Sequence, residues 1–215
     1  MRPAVLVLLL GAAAGPLAAQ RFVFGLAGVG GDYREATNDL RYDVSGIAGT
    51  ALLTLGRFAA EATVSGLAYE PDESGTAAER FEAAQFDGYV RYRVVRWASL
   101  ELGVTNREVR DEFQFRAQSA AAFRIGVHSA AALGPNGGVA ARVNYLAGAK
   151  FSGGGSAPFA LDVGLSVFYA FARGRLRVTG ESQFQNFKRT VDAGAGEQDV
   201  PIQQVLGRLG VAVGF

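Results

Sequence analysis

Alternation with a period of two runs through almost the whole chain, and little else about the sequence constrains its fold as strongly. Leu40, Tyr42, Val44, Gly46, Ala48, Thr50 and Leu52 form one face, against Arg41, Asp43, Ser45, Ile47, Gly49 and Ala51 on the other. Phe58, Ala60, Ala62, Val64 and Gly66 oppose Ala59, Glu61, Thr63 and Ser65. Phe86, Gly88, Val90, Tyr92 and Val94 oppose Asp87, Tyr89, Arg91 and Arg93. Phe159, Leu161, Val163, Leu165, Val167, Tyr169 and Phe171 alternate with Ala160, Asp162, Gly164, Ser166 and Ala170. Side chains of a strand point to opposite faces in turn, so this pattern predicts strands rather than helices. Many runs exceed ten residues, whereas strands of soluble proteins have about five or six and a tilted membrane-crossing strand about 9–11.

The pattern predicts ten strands, at 21–33, 40–54, 58–69, 84–95, 99–110, 117–132, 138–150, 158–172, 175–187 and 201–215. Residues 119–133 are alanine-rich, but Phe123, Ile125 and Val127 alternate with Arg124, Gly126 and His128, which favours strand. Connections near Gly56-Arg57, Arg96-Trp97-Ala98, Gly134–Gly137 and Arg173-Gly174 are short; those near 34–39, 70–83, 111–116, 151–157 and 188–200 are mostly longer and more polar. Thr76-Ala77-Ala78-Glu79 has the form of a capping box, a helical turn within the second long loop. Short turns at one end and long loops at the other define an all-β, antiparallel up-and-down transmembrane barrel of about ten strands, with eight as the alternative count. An even count places both termini at the short-turn, periplasmic end.

The first nineteen residues read as an address. Met1-Arg2-Pro3 is a short positive region, 4–14 is an apolar core too short to span a bilayer, and Gly15-Pro16 breaks it ahead of a cut after Ala19. The expected organisation is a signal peptide over 1–19 and a barrel domain over 20–215. Composition narrows the function. There is no cysteine and His128 is the sole histidine, which excludes thiol chemistry and cysteine or multi-histidine metal sites. Arg2 alone supplies the formal charge of +1, and a balanced chain without a basic tract is a poor nucleic-acid binder. No cofactor and no metal are expected.

The final segment places Val205, Gly207, Leu209, Val211, Val213 and Phe215 on alternate positions. It resembles the terminal strand of bacterial outer-membrane β-barrel proteins of the Gram-negative type of envelope. The resemblance implies residence in the outer membrane, contact with outer-membrane lipid, and recognition of Val211, Val213 and Phe215 by the barrel-assembly machinery. Phe22, Phe58, Trp97, Phe171 and Phe215 fall near the short turns, and Tyr42, Phe86, Phe123, Tyr145, Phe159 and Phe184 toward the long loops. Such girdles flank the apolar band of a porin-like barrel.

The opposite face then lines the lumen. It carries Arg41, Asp43, Glu61, Asp87, Arg91, Arg93, Glu101, Arg107, Arg124, Arg142, Lys150, Asp162, Arg177, Glu181 and Arg208, nine basic and six acidic. An ion network of Glu61, Asp87, Arg91, Arg93, Glu101, Arg124, Arg142, Asp162, Arg177 and Glu181 is expected. A three-residue turn at 96–98 would set Arg93 opposite Glu101 with Arg91 diagonal. Long arginines fill so narrow a bore, giving a plugged polar lumen and a structural or surface-binding role through the loops, with an extracellular ligand of unknown identity. A narrow, weakly anion-preferring channel is the alternative, and a lipid-modifying enzyme of the outer membrane a further one. The protein is not expected to be an enzyme. Lipid-A deacylases present His and Ser two residues apart on one face, whereas Ser129 lies on the opposite face from His128. The ten-stranded outer-membrane proteases carry His and Asp at the extracellular rim, and His128 lies toward the other end. The Gly-rich segment 152–156 lacks the strand-to-helix setting of a phosphate loop.

Overall fold

The computed structural model describes residues 20–36, 39–76, 79–110, 119–171, 175–192, 194 and 196–215. The proposed signal peptide, and Ala77 and Ala78 of the capping box, lie outside them; no helix occurs among the described residues.

The strands are β1 (Gln20–Glu35), β2 (Leu40–Leu55), β3 (Phe58–Pro71), β4 (Phe81–Arg93), β5 (Ala98–Val109), β6 (Ala120–Leu133), β7 (Gly137–Phe151), β8 (Ser156–Phe171), β9 (Leu176–Asp192), β10 (Glu197–Asp199) and β11 (Ile202–Gly214). Each pairs antiparallel with its neighbour, and β1 pairs with β11, so the sheet closes on itself. β10 and β11 both pair with β9 and are parted only at Val200-Pro201, where proline has no N–H to donate. They are two pieces of one barrel strand, and the barrel has ten. Closure satisfies every strand edge, the requirement for a sheet in lipid. Gln20 and Phe215 both sit at the short-turn end, where Phe215 N donates to the Phe22 carbonyl at 2.8 Å.

Outward positions carry an uncharged band. On β1 it runs from Phe22 to Gly30 before Asp32, and on β4 from Tyr92 back to Ala84 before Glu82. Leu26, Ile47 and Leu209 are 73%, 74% and 71% exposed. A continuous apolar belt of this kind is untenable in water and suited to hydrocarbon. Phe22, Phe58, Trp97, Phe171 and Phe215 are exposed at the short-turn side, and Phe86, Phe123, Tyr145 and Phe159 toward the other.

Three features depart from the sequence reading. In β2 the inward face is Tyr42, Val44, Ala48 and Thr50, and Arg41 and Asp43 belong to the outward set. The two-residue turn Gly56-Arg57 pairs Leu55 with Phe58, so even positions of β2 align with odd positions of β3, the face that carries Glu61. Lys150 is exposed, because the ladder between β6 and β7 slips beside Gly148 at φ +61° and brings Phe151 inward instead. The third departure is the turn joining β4 to β5. Val94 N and Val95 N both bond the Ala98 carbonyl, so the connection is longer than three residues and Arg91, not Arg93, lies opposite Glu101.

Candidate functional site

Inward side chains stack in three zones. Toward the long loops lies an apolar plug. Tyr69 stacks on Phe81 at 4.2 Å, Tyr42 meets Phe81 edge-on at 4.9 Å, Tyr33 meets Tyr69 edge-on at 5.5 Å, and Phe151 meets Phe187 at 5.5 Å. Tyr33 and Tyr69 have no exposed surface, and Leu146, Ile202 and Leu206 complete the layer. The lumen is thus polar over only part of its length. Hydrophobicity alone puts Tyr42 and Val44 on the lipid side; the parity imposed by the two-residue turn puts them inside.

Polar tips of the plug join it to the middle zone. Arg107 Nη1 donates to Gln204 Oε1 at 3.0 Å, and its guanidinium lies 4.4 Å from the Tyr33 ring centroid. Gln204 Nε2 reaches Tyr69 Oη and Gln85 Oε1, each at 3.2 Å. Tyr33 Oη donates to Glu35 Oε2 at 2.8 Å, and Arg189 lies 3.7 Å from the same carboxylate.

The middle zone is the charge network. Asp87 accepts from Gln85 Nε2 at 2.9 Å and Thr105 Oγ1 at 2.8 Å, and pairs with Arg124 at 2.8 Å and Arg208 at 3.4 Å. Arg124, wholly buried, also lies 3.4 Å from Asp162, which accepts from Gln183 Nε2 at 2.8 Å. Arg142 pairs with Glu181 at 2.5 Å, and Arg208 joins the same carboxylate at 3.4 Å. Arg91 bridges Glu101 at 2.5 Å and Glu61 at 2.8 Å. Asn144 Nδ2 ties the two halves, donating to Glu101 Oε1 at 2.7 Å and Asp162 Oδ2 at 3.3 Å. The guanidinium carbons of Arg124, Arg142 and Arg91 stand 4.7, 4.8 and 5.3 Å from the ring centroid of Tyr89. Paired and hydrogen-bonded burial is the condition under which so many charges are tolerated in an interior.

Two glycines make this reach possible. Gly126 lies in register between Glu101 of β5 and Asn144 of β7; a Cβ there would stand 2.3 Å from Asn144 Oδ1 and 2.1 Å from the Val143 carbonyl. Gly164 faces Arg142 in register, and its Cβ would stand 2.6 Å from Arg142 Nε. Each glycine lets a neighbouring side chain lie flat across its strand to a partner on the next one.

Of the network read from the sequence, Glu61, Asp87, Arg91, Glu101, Arg124, Arg142, Asp162 and Glu181 come together. Arg93 does not. It is exposed at the turn, and its Nη2 donates to the Gly56 carbonyl at 2.9 Å, the consequence of the longer connection after β4. Arg177 stands at the mouth, 5.2 Å from the Phe168 ring. The neutral partners Asn144, Gln85, Gln183 and Gln204 carry no charge pattern by which the sequence reveals them.

Toward the short turns the lumen opens into a cavity of about 190 Å³ walled by Val23, Leu52, Phe168, His128, Arg177 and Glu181. His128 lies opposite Arg142 in register, and Ser129 points outward. Among the described residues no cluster of His, Asp and Glu suits a metal ion.

The two rims differ in charge. Outside the lumen at the long-loop end, Asp32, Asp39, Asp43, Glu70, Asp72, Glu73, Glu79, Glu82, Glu108, Asp192, Glu197 and Asp199 outnumber Arg34, Arg41, Arg80, Arg110, Lys150 and Lys188. At the short-turn rim the charged residues described are all arginine.

The barrel superposes on the outer membrane protease OmpT from Escherichia coli with a TM-score of 0.53 at 10% identity, covering 95% of this chain and 99% of that one. The chain has the fold of a bacterial outer-membrane β-barrel. An outer membrane channel from Pseudomonas putida F1 matches at a TM-score of 0.44 and 10% identity, over 94% of this chain and 97% of the other. Neisserial surface protein A matches at 0.40 and 10%, over 89% and 96%. No protein-family model and no curated protein matches the sequence. At such identities the likeness is one of fold, and function resides in the barrel's own interior and rims.

Proposed function

We propose that this barrel spans the outer membrane as a plugged, non-conducting and non-enzymatic protein, short turns toward the periplasm, with long loops 70–83 and 188–200 as its contact surface. The observation that carries the reading is the filled bore. An aromatic layer and a crosslinked arginine–carboxylate layer lie in series, so an ion would have to part both. The excess of carboxylates at the long-loop end favours a cationic partner there. Against catalysis stands the setting of His128, which faces a guanidinium rather than a nucleophile and lies at the end away from the loops. By the resemblance of the last strand, Val211, Val213 and Phe215 serve as the insertion signal; all three are exposed on the outer face. Planar-bilayer recording of the refolded protein tests the plug. Electrical silence is expected, and a stable unitary conductance would establish the weakly anion-preferring channel instead.

A further inference from the structure

We infer that the short-turn rim is a seat for the phosphate headgroups of anionic phospholipids. Arg21, Arg57, Arg93, Arg96 and Arg175 are all exposed there, with no acidic residue beside them among the described residues of that rim. None of the five forms an ion pair among the described residues, whereas Arg41, Arg80 and Arg110 at the opposite end all do. Residues 20–215 carry equal numbers of acidic and basic groups, so the rim's charge is a segregation and not a general excess.

The setting points to a membrane rather than to open water. Arg57, Arg93 and Arg96 surround one shallow hollow whose remaining walls are Val94 and Val95, 53% and 44% exposed. Trp97 beside them is 65% exposed, and Phe58 packs on Tyr92 at 5.0 Å on the same outer face. Exposed aromatics at a barrel end mark the depth of the headgroups, and a guanidinium at that depth meets phosphate with matched bidentate geometry. The two neighbouring turns, 56–57 and 94–97, with Arg93 at the end of β4, therefore gather three cations beside exposed apolar side chains. This seat rests on the membrane-spanning reading, which heat-modifiable folding and detergent extraction test separately.

The full-length folded protein is reconstituted into phosphatidylcholine vesicles, and association of spin-labelled phosphatidylglycerol is compared with that of spin-labelled phosphatidylcholine. A preference of about fivefold for phosphatidylglycerol is expected, the factor conferred by about one favourable arginine contact at a charged surface, and it should shrink as salt is raised. Arg57→Gln/Arg96→Gln/Arg175→Gln should abolish most of it, with unchanged heat-modifiable migration to show that the barrel has folded; Arg93 is spared because it also ties the turn to Gly56. Arg34→Gln/Arg80→Gln/Arg110→Gln should keep the preference. Equal association of the two lipids, or a preference untouched by the rim variant, overturns the inference. So does displacement by inorganic phosphate beyond that caused by chloride at the same ionic strength, which would make this a free-anion site, or stronger binding of soluble polyglutamate, which would make the partner an acidic polymer.

Discussion

At the scale of single residues, the interior is decided by who bridges whom. Glu101 has no exposed surface and accepts from both Arg91 and Asn144. Removing it leaves Arg91 with Glu61 alone and the Asn144 amide with only its longer bond to Asp162. Breaking a buried pair from one side costs about 3–5 kcal/mol, less where water enters from the adjoining cavity. Glu101→Ala should therefore lower the thermal unfolding midpoint in detergent, while Glu73→Ala on the exposed loop should leave it unchanged. Gly126 gives a second test of the same row. Its added Cβ would collide with backbone and push Asn144 off Glu101, so Gly126→Ala should destabilise the barrel. Gly66, where a Cβ meets nothing within 4 Å, is the matched control. Similar midpoints for the two glycine variants would contradict the bridging role.

At the scale of elements, strands and their number were legible because period two over ten or more residues has no other reading. Direction was harder. Hydrophobicity separates two faces but does not say which is inside when an aromatic plug fills half the bore; Tyr42 and Val44 look like lipid-facing residues and are not. Arg93 and Lys150 were misplaced for a different reason. Lys150 lies past a slipped ladder that turns the following side chains to the other face, whereas the long turn after β4 moves the register by two residues, keeps the faces and leaves Arg93 at the rim. Among the loops, the turn after β3 is held by Asp72, which accepts from Ser74 N and Ser74 Oγ at 2.8 Å each. The backbone bond, then the hydroxyl bond, hold the Asp72 carboxyl below its usual range. A lowered value means the bonded turn is fully present above the ordinary carboxylate pKa of about 3.9 and is lost as pH falls through the lower one. The Ser74 amide resonance should accordingly stay fixed down to about pH 4 and move only in stronger acid; movement between pH 7 and 5 would contradict this.

At the scale of the whole molecule, the outward belt and the closed sheet make two demands. The protein should stay with the membrane until detergent is added, and the folded form should migrate faster than the boiled form on a gel; recovery in the soluble periplasm would count against the barrel's placement. Deleting Phe215 removes an exposed aromatic at the short-turn interface, which lies 6.3 Å from Phe24, together with its backbone bonds to Phe22. Poorer insertion and periplasmic degradation are expected, and an undiminished outer-membrane yield would show that this residue is not read during assembly. The interior also bears on the order of folding. Arg208 and Gln204 belong to β11, yet their partners Asp87 and Gln85 belong to β4, far earlier in the chain. A sheet still open at the β1–β11 seam would leave Asp87 without one of its two arginines and Gln85 without Gln204. Shutting the seam and completing the interior are then one event: the last strand to arrive is the keystone, and a half-closed intermediate gains little until it is set.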